Sequence, residues 1–438
     1  MPNHYICDMK TWPLILLVLL SCGAMAQQSR EDIFSNFVLY GTKQQFDYEL
    51  RERVVAKTFA LEPDSTNEYK FESACGAVSQ FQLRDSSIKA GLMKMFRHYA
   101  ELEYDTRRAL LEACYAVYPD EFIPQIGTVL SIDTVPKLFA MSAVYLYRKD
   151  SSINNGNHLK IAMVEQFPGY DTIPILTELE KYLNHHNRQL RTATPDLAIL
   201  FRHNRNAKRK SIYSIQRWDR DQPGIAIVQY ADGKFARNAD GRLMIFEQLA
   251  RSASDLPYFI TDGSTPQGVF SIQGIAVSKS NLIGPTPNLQ LLMPFEGPWQ
   301  KYFQQSDSLP WDSSRNVQQL YQQLLPSAWA QYAPMQEAFN AGRIGRTEII
   351  AHGTAIDPEY FKGKPYYPLT PTMGCLSAKE LWNVTNGRLL VSEQFNLVSA
   401  FSATPGSKGY LFVINIDDQH KPVTRADIEE IVRRSERE

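Results

Sequence analysis

Near residue 200 the chain changes from helix-forming phrases to strand-forming ones, and no single layer of regular structure accommodates both. Upstream, Asp105 or Thr106 is placed to cap a helix with the apolar stripe Leu110, Leu111, Cys114, Val117 and Tyr118, stopped at Pro119. Asp133-Thr134-Val135-Pro136 opens a second helix, carrying Leu138, Met141, Tyr145 and Leu146. Asp171-Thr172-Ile173-Pro174 opens a third, carrying Ile175, Leu176, Leu179 and Leu183. In these phrases an acidic or hydroxyl residue caps, and proline falls in the first turn, where its missing N–H removes no bond. The two Asp-Thr-(Val/Ile)-Pro starts, at residues 133 and 171, lie 38 positions apart. That period fits stacked HEAT-like helical pairs, and it also fits chance recurrence of a common helix start.

Downstream the runs are short and β-rich. Ile225–Tyr230 closes on the turn Asp232-Gly233, and Asn238-Ala239-Asp240-Gly241 supplies another turn. Val269–Ile272 and Tyr410–Ile416 read as further strands, with an amphipathic segment near Val317–Phe339 and a closing helix after Thr424. The expected fold class is α+β in two domains. An all-helical module over 29–200 is joined by a basic linker, 201–215, to a mainly β domain over 216–420, and 421–438 forms a C-terminal helix. The run Arg202 to Lys210 is either a solvated linker or a contact for an anionic glycan or lipid. At 438 residues the chain exceeds the usual size of one core, which agrees with two domains.

The N-terminus differs from both halves. Lys10 precedes the apolar run Trp12 to Leu20, and small residues follow to Ala24-Met25-Ala26. This reads as a signal peptide over 1–26 with an A-x-A cleavage site, and so as export to the periplasm. The alternatives are an uncleaved anchor and lipoprotein processing at Cys22 in Leu19-Leu20-Ser21-Cys22. No later segment is long and apolar enough to span a bilayer. A net charge of −1 gives no global attraction to nucleic acid or anionic membrane. Of five cysteines, cleavage leaves Cys75, Cys114 and Cys375. An odd count leaves at least one thiol unpaired, whether Cys75 and Cys114 pair or are separate buried thiols.

Three phrases in the second half carry chemistry. Asp262-Gly263-Ser264-Thr265-Pro266-Gln267-Gly268-Val269-Phe270-Ser271-Ile272 is a turn feeding a strand. Glu348-Ile349-Ile350-Ala351-His352-Gly353-Thr354 is an apolar strand ending on a histidine. Thr372-Met373-Gly374-Cys375-Leu376-Ser377 is a small-residue turn that presents a cysteine and leads into Ala378–Trp382, read as helical. A thiol attacks as thiolate, and an imidazole base or a helix N-terminus promotes that form. Cys375 is therefore the candidate nucleophile and His352 its base. The Gly353 carbonyl is placed to orient the imidazole, and N–H groups around Gly374 and Cys375 are placed to meet an oxyanion. No metal-ligand spacing competes: H-x-x-x-H and C-x-x-C are absent, and no cofactor is called for. His185-His186 are adjacent and diverge on a helix.

These phrases, in this order, resemble the L,D-transpeptidase (YkuD-type) catalytic domain over roughly residues 210–418. The family pattern runs D-G-x-T-P-x-G-x-[FY]-x-I, then H-G-[TS], then [ST]-H-G-C-[IVL]-R. Met373 stands where the family has a second histidine, and Ser377 where it has arginine. The resemblance implies a mainly β fold and peptidoglycan tetrapeptide stems as substrate. It implies attack of Cys375 on the diaminopimelate carbonyl and resolution of the acyl-enzyme by an amine or by water. Thr354 and Thr372 are expected hydroxyl supports. Tyr360, with Lys364 and Tyr366, is the expected wall of the site, and Arg388 a replacement carboxylate clamp. A hydrolase of wall peptides and a non-catalytic wall-binding scaffold, whose helical module recruits a protein partner, are the alternatives. Retention of both Cys375 and His352 favours an enzyme.

Overall fold

The computed structural model describes residues 29–185, 193–306 and 311–437. The signal-peptide reading, Cys22 and His186 lie outside them. Among the described residues, no helix is long and apolar enough to cross a membrane.

The chain is mixed α and β, helical in its N-terminal half and β-rich in its C-terminal half. The helices of the first half are α1 (Tyr40–Tyr48), α2 (Lys57–Phe59), α3 (Glu68–Phe81), α4 (Ser86–Arg97), α5 (Tyr104–Val117), α6 (Ile123–Ile132), α7 (Pro136–Lys149), α8 (Ile153–Gln166), α9 (Pro174–His185) and α10 (Leu197–Asn206). A π-helical stretch, Glu49–Ala56, joins α1 to α2. Both proline-led starts form helices with the proline as first residue. The capping reading fails in detail. In α5 the cap position is Glu103, with no side-chain bond, so Asp105 and Thr106 lie within the helix. Asp133 accepts from the Val135 N–H at 3.0 Å and from the Tyr99 hydroxyl at 2.6 Å, tying the start of α7 to a neighbouring turn.

The 38-residue spacing corresponds to α7 and α9, with α8 between them. Helices α3, α5, α7 and α9 pack in succession, while α6 pairs with α7 and α8 with α9. Leu110, Cys114 and Val117 of α5 recur at helical spacing and face this layered core. Cys75 and Cys114 are both buried there as free thiols.

The second half has strands β1 (Ser211–Gln216), β2 (Gly224–Gln229), β3 (Phe246–Leu249), β4 (Gly268–Ala276), β5 (Asn288–Leu292), β6 (Ala351–His352), β7 (Leu376–Ala378), β8 (Glu380–Trp382), β9 (Leu389–Ser392) and β10 (Gly409–Asn415). A closed barrel runs β1-β10-β4-β5-β6-β7-β3-β2, and β8 and β9 form a separate hairpin. β1 with β10 and β6 with β7 are parallel pairs; the other barrel pairs are antiparallel. Strand alternation builds two faces. Tyr410, Phe412 and Ile414 join a cluster with Tyr213 and Trp329, whereas Leu411 and Val413 join one with Phe270, Leu397 and Phe401. Helices α11 (Trp299–Tyr302), α12 (Val317–Gln322), α13 (Ser327–Ala330), α14 (Glu337–Ile344), α15 (Glu393–Ser402) and α16 (Arg425–Arg437) complete the half. The amphipathic segment 317–339 is broken at Pro326 and Pro334, which head new short helices.

The basic linker is corrected. Residues 197–206 are helix α10, whose Leu197, Leu200 and Phe201 are buried in the β-rich core, and strand β1 begins at Ser211. Arg209 donates to the Leu324 carbonyl at 2.9 Å, and Lys210 to those of Thr404 and Gly406, both at 2.8 Å. Long stems pack on apolar neighbours while their charged ends meet carbonyls, so a basic run need not be solvated. The C-terminal helix likewise packs on α10 and belongs to the same core.

Nor does the apolar core stop at the half boundary. Leu249 at the end of β3, with Leu256, Phe259, Ile260, Ile356, Phe361 and Leu369 from the connections of the β-rich half, belongs to the cluster built by α3 to α9.

Candidate functional site

The three phrases converge. β6 and β7 lie parallel, with Ala351 opposite Leu376 and His352 opposite Ser377. Continuing that register sets Cys375 opposite Ile350, diagonal to His352 across the two strands. The turn before Cys375 is built from hydroxyls. Thr372 Oγ1 donates to the Cys375 carbonyl at 2.7 Å and accepts from the Gly374 N–H at 3.1 Å. Thr265, from the first phrase, donates to the Gly374 carbonyl at 2.8 Å. Gly374 has φ +116°, and a Cβ there would lie 2.4 Å from Arg346 Nη2. Glycine is required on both counts.

The imidazole of His352 is buried, 5 % exposed, and Nδ1 hydrogen-bonds the Gly353 carbonyl, as expected. Because a carbonyl only accepts, Nδ1 carries the proton and Nε2 is left with its lone pair. Burial holds His352 below its ordinary value, against the bond to Gly353. Gly353 has a second function: a Cβ there would lie 2.1 Å from the carboxyl carbon of Glu380. Glu380 accepts from the Thr354 N–H at 2.8 Å and the Ser392 hydroxyl at 2.6 Å, and burial pushes it up to about 7 against those bonds. Thr354 in turn accepts at Oγ1 from the Ile356 N–H at 3.1 Å, so its hydroxyl shapes the strand end.

The thiol of Cys375 is partly exposed and turned onto the 348–350 backbone. It accepts from the Ile350 N–H and donates to the Glu348 carbonyl, each at 3.4 Å, and no hydrogen bond joins it to His352. Burial raises it to about 11; the Ile350 N–H and the Arg346 cation oppose that, while Glu348 and Asp262 add to it. The helix expected after Cys375 is absent. Ala378 ends strand β7, and Glu380–Trp382 is strand β8, so no helix N-terminus lowers the thiol. The Gly374 N–H is spent on Thr372, which leaves the Cys375 N–H of this turn for an oxyanion.

Two expected residues stand elsewhere. Tyr360 donates to Asp47 at 2.8 Å and packs on Phe81, centroids 5.0 Å apart, where the 353–375 loop meets the N-terminal helices. It lines a cleft of about 710 Å³ with Phe37, Tyr40, Lys43 and Arg51, away from Cys375. Arg388 donates to the Glu31 carbonyl and bridges to Phe34, in the β8–β9 hairpin, so it is no clamp at Cys375. Tyr366 is buried, with the Arg251 guanidinium 5.0 Å from its ring centroid. Ser377, in the family's arginine position, donates to the Thr370 carbonyl.

Local sequence pattern does not single out Arg346 or Glu380. Arg346 is buried, 6 % exposed, and donates to the carbonyls of Tyr258, Gly263 (2.8 Å) and Ser264 (3.0 Å). Burial draws it down to about 10, opposed by Asp262 and Cys375. The absent side chains of Gly374 and Gly353 were the only sequence trace of these two neighbours. Comparison with known proteins adds no relative: no family model, no curated protein and no solved structure matches the chain.

Proposed function

We propose that this protein is an exported cysteine acyltransferase of the L,D-transpeptidase kind, acting in the periplasm on peptidoglycan stem peptides. The observation that carries the reading is the hydrogen bond between His352 Nδ1 and the Gly353 carbonyl. A carbonyl only accepts, so Nδ1 donates to Gly353 and Nε2 is left as a neutral base on β6, whose partner β7 begins one residue after Cys375. Burial keeps both thiol and imidazole uncharged at rest, so proton transfer accompanies attack instead of preceding it.

In the reaction, rotation about the Cys375 side chain frees Sγ from Glu348 and Ile350 and brings it to the substrate. Sγ bonds to the diaminopimelate carbonyl carbon while its proton passes to His352 Nε2, and the Cys375 N–H meets the oxyanion. Collapse breaks the C–N bond to D-alanine, whose amine takes the proton back from His352. The thioester is then resolved by an amine, giving a cross-link, or by water. The HEAT-like helical module stands beside this site as its support. Met373 and Ser377 leave the Cys–His pair intact.

The test is intact-mass spectrometry after incubation with a diaminopimelate-containing tetrapeptide muropeptide, alongside Cys375→Ala. A mass gain on the wild type alone, equal to the stem less its D-alanine, is expected. No adduct and no product from folded protein would overturn the reading and favour a scaffold.

A further inference from the structure

The segment 253–264 is gripped from one side by all four helices of one layer. Gln82, just past α3, donates to the Ala253 carbonyl at 2.6 Å, and Arg148 of α7 pairs with Asp255 at 3.8 Å. Tyr258 donates to Glu178 of α9, and Lys137 of α7 donates to Thr261 at 2.9 Å. Arg108 of α5 bridges Asp262 at 2.9 Å and Glu112 at 3.1 Å. Leu256, Phe259 and Ile260 sink between these contacts into the helical core. Asp255 and Asp262 stand at φ +60° and +59°, left-handed positions that surrounding structure has to enforce.

The other side of the same segment faces the thiol. Its carbonyls at Tyr258, Gly263 and Ser264 cage the Arg346 guanidinium, and Arg346 Nη2 stands against Gly374, one residue before Cys375. A buried cation held by three carbonyls cannot turn away to water, so its position is set by where the segment is held.

We propose that Arg346 sets the reactivity of Cys375 and that the helical array positions Arg346 through the 253–264 segment. This rests on the cysteine-nucleophile reading but not on any wall substrate. Arg346 acts on the thiol as a fixed positive charge that favours its ionised form. The charged groups facing Cys375 are Arg346, which promotes ionisation, and Glu348 and Asp262, which oppose it. The array is thereby a positioning device for the site, in place of a helix N-terminus behind the cysteine.

The test is the pH–rate profile of iodoacetamide alkylation of the full chain, read by intact mass. With Cys7 and Cys22 replaced by serine, the thiols besides Cys375 are Cys75 and Cys114, both fully buried, so Cys375 is the reacting thiol, with Cys375→Ala as control. Arg346→Gln is expected to slow alkylation at mildly alkaline pH by about tenfold, through an upward shift of about one pH unit. Arg108→Met, remote from the thiol, is expected to slow it about threefold by loosening the segment. Arg108→Lys, which keeps the charge, should restore most of the rate. An unmoved profile in folded Arg346→Gln would reduce Arg346 to packing. Should that variant not fold, an unmoved profile in Arg108→Met overturns the proposal. A shift in Arg346→Gln alone removes the array from it. Normal alkylation shifts without an acyl adduct on muropeptide would instead sink the substrate reading and leave this inference standing.

Discussion

Burial raises the Cys375 thiol to about 11 and depresses the His352 imidazole, so the pair works from neutral partners. Cys375→Ala should therefore abolish acylation, and His352→Ala should slow it by about a hundredfold or more, measured as the rate of acyl-enzyme formation. The base must be unprotonated, and its proton affinity is lowered from 6.5. The acid limb of the acylation profile should accordingly fall below that value; a limb at or above it would contradict a buried neutral base. Glu380 gives a stability prediction of the opposite kind. Its carboxyl is raised to about 7 in the folded chain, so the folded state holds a proton that the unfolded state releases earlier. That contribution is whole below the ordinary carboxyl range of 4.5 and is lost as pH rises through about 7. Glu112 and Glu337, both pushed upward by burial, act with the same sign. The melting temperature should drop from about pH 5 to pH 8, and Glu380→Gln should flatten that drop.

At the scale of elements, the site depends on two glycines that make room for side chains from elsewhere. Gly374→Ala would force a methyl group against Arg346 at φ +116°, and should cost about 2 kcal/mol of stability in denaturant titration. The proline-led helix starts and the strand at Val269–Ile272 were legible because each is encoded by neighbouring residues. Ala378–Trp382 was not. Ala, Lys, Glu and Leu favour a helix locally, but here Ala378 pairs with Gln248 and Glu380 with Ser392 in ladders that only distant residues complete. Arg388 is illegible for a related reason: its partner, the Glu31 carbonyl, lies 357 positions away in the chain.

Over the whole molecule, the helical and β-rich halves share one apolar cluster, and a folded boundary replaces the expected linker. Thermal unfolding followed by far-UV and near-UV circular dichroism should then give one coincident transition. Residues 196–437 produced alone should bind a hydrophobic dye, because Leu256, Phe259, Ile260 and Phe361 lose their cover. Two separate transitions, or a well-behaved fragment, would show that the shared cluster is dispensable. The sequence by itself determined the division into helical and β-rich halves, the residues of the Cys375 turn, and the histidine strand that accompanies it. Period, turn chemistry and phrase order are local, so they survive without coordinates. Only the tertiary structure decided that Arg346 stands beside the thiol, that Glu380 fills the space beside Gly353, and that the helices grip the 253–264 segment. Those contacts join residues far apart in the chain, and nothing in local spacing records which buried charge will meet which carbonyl.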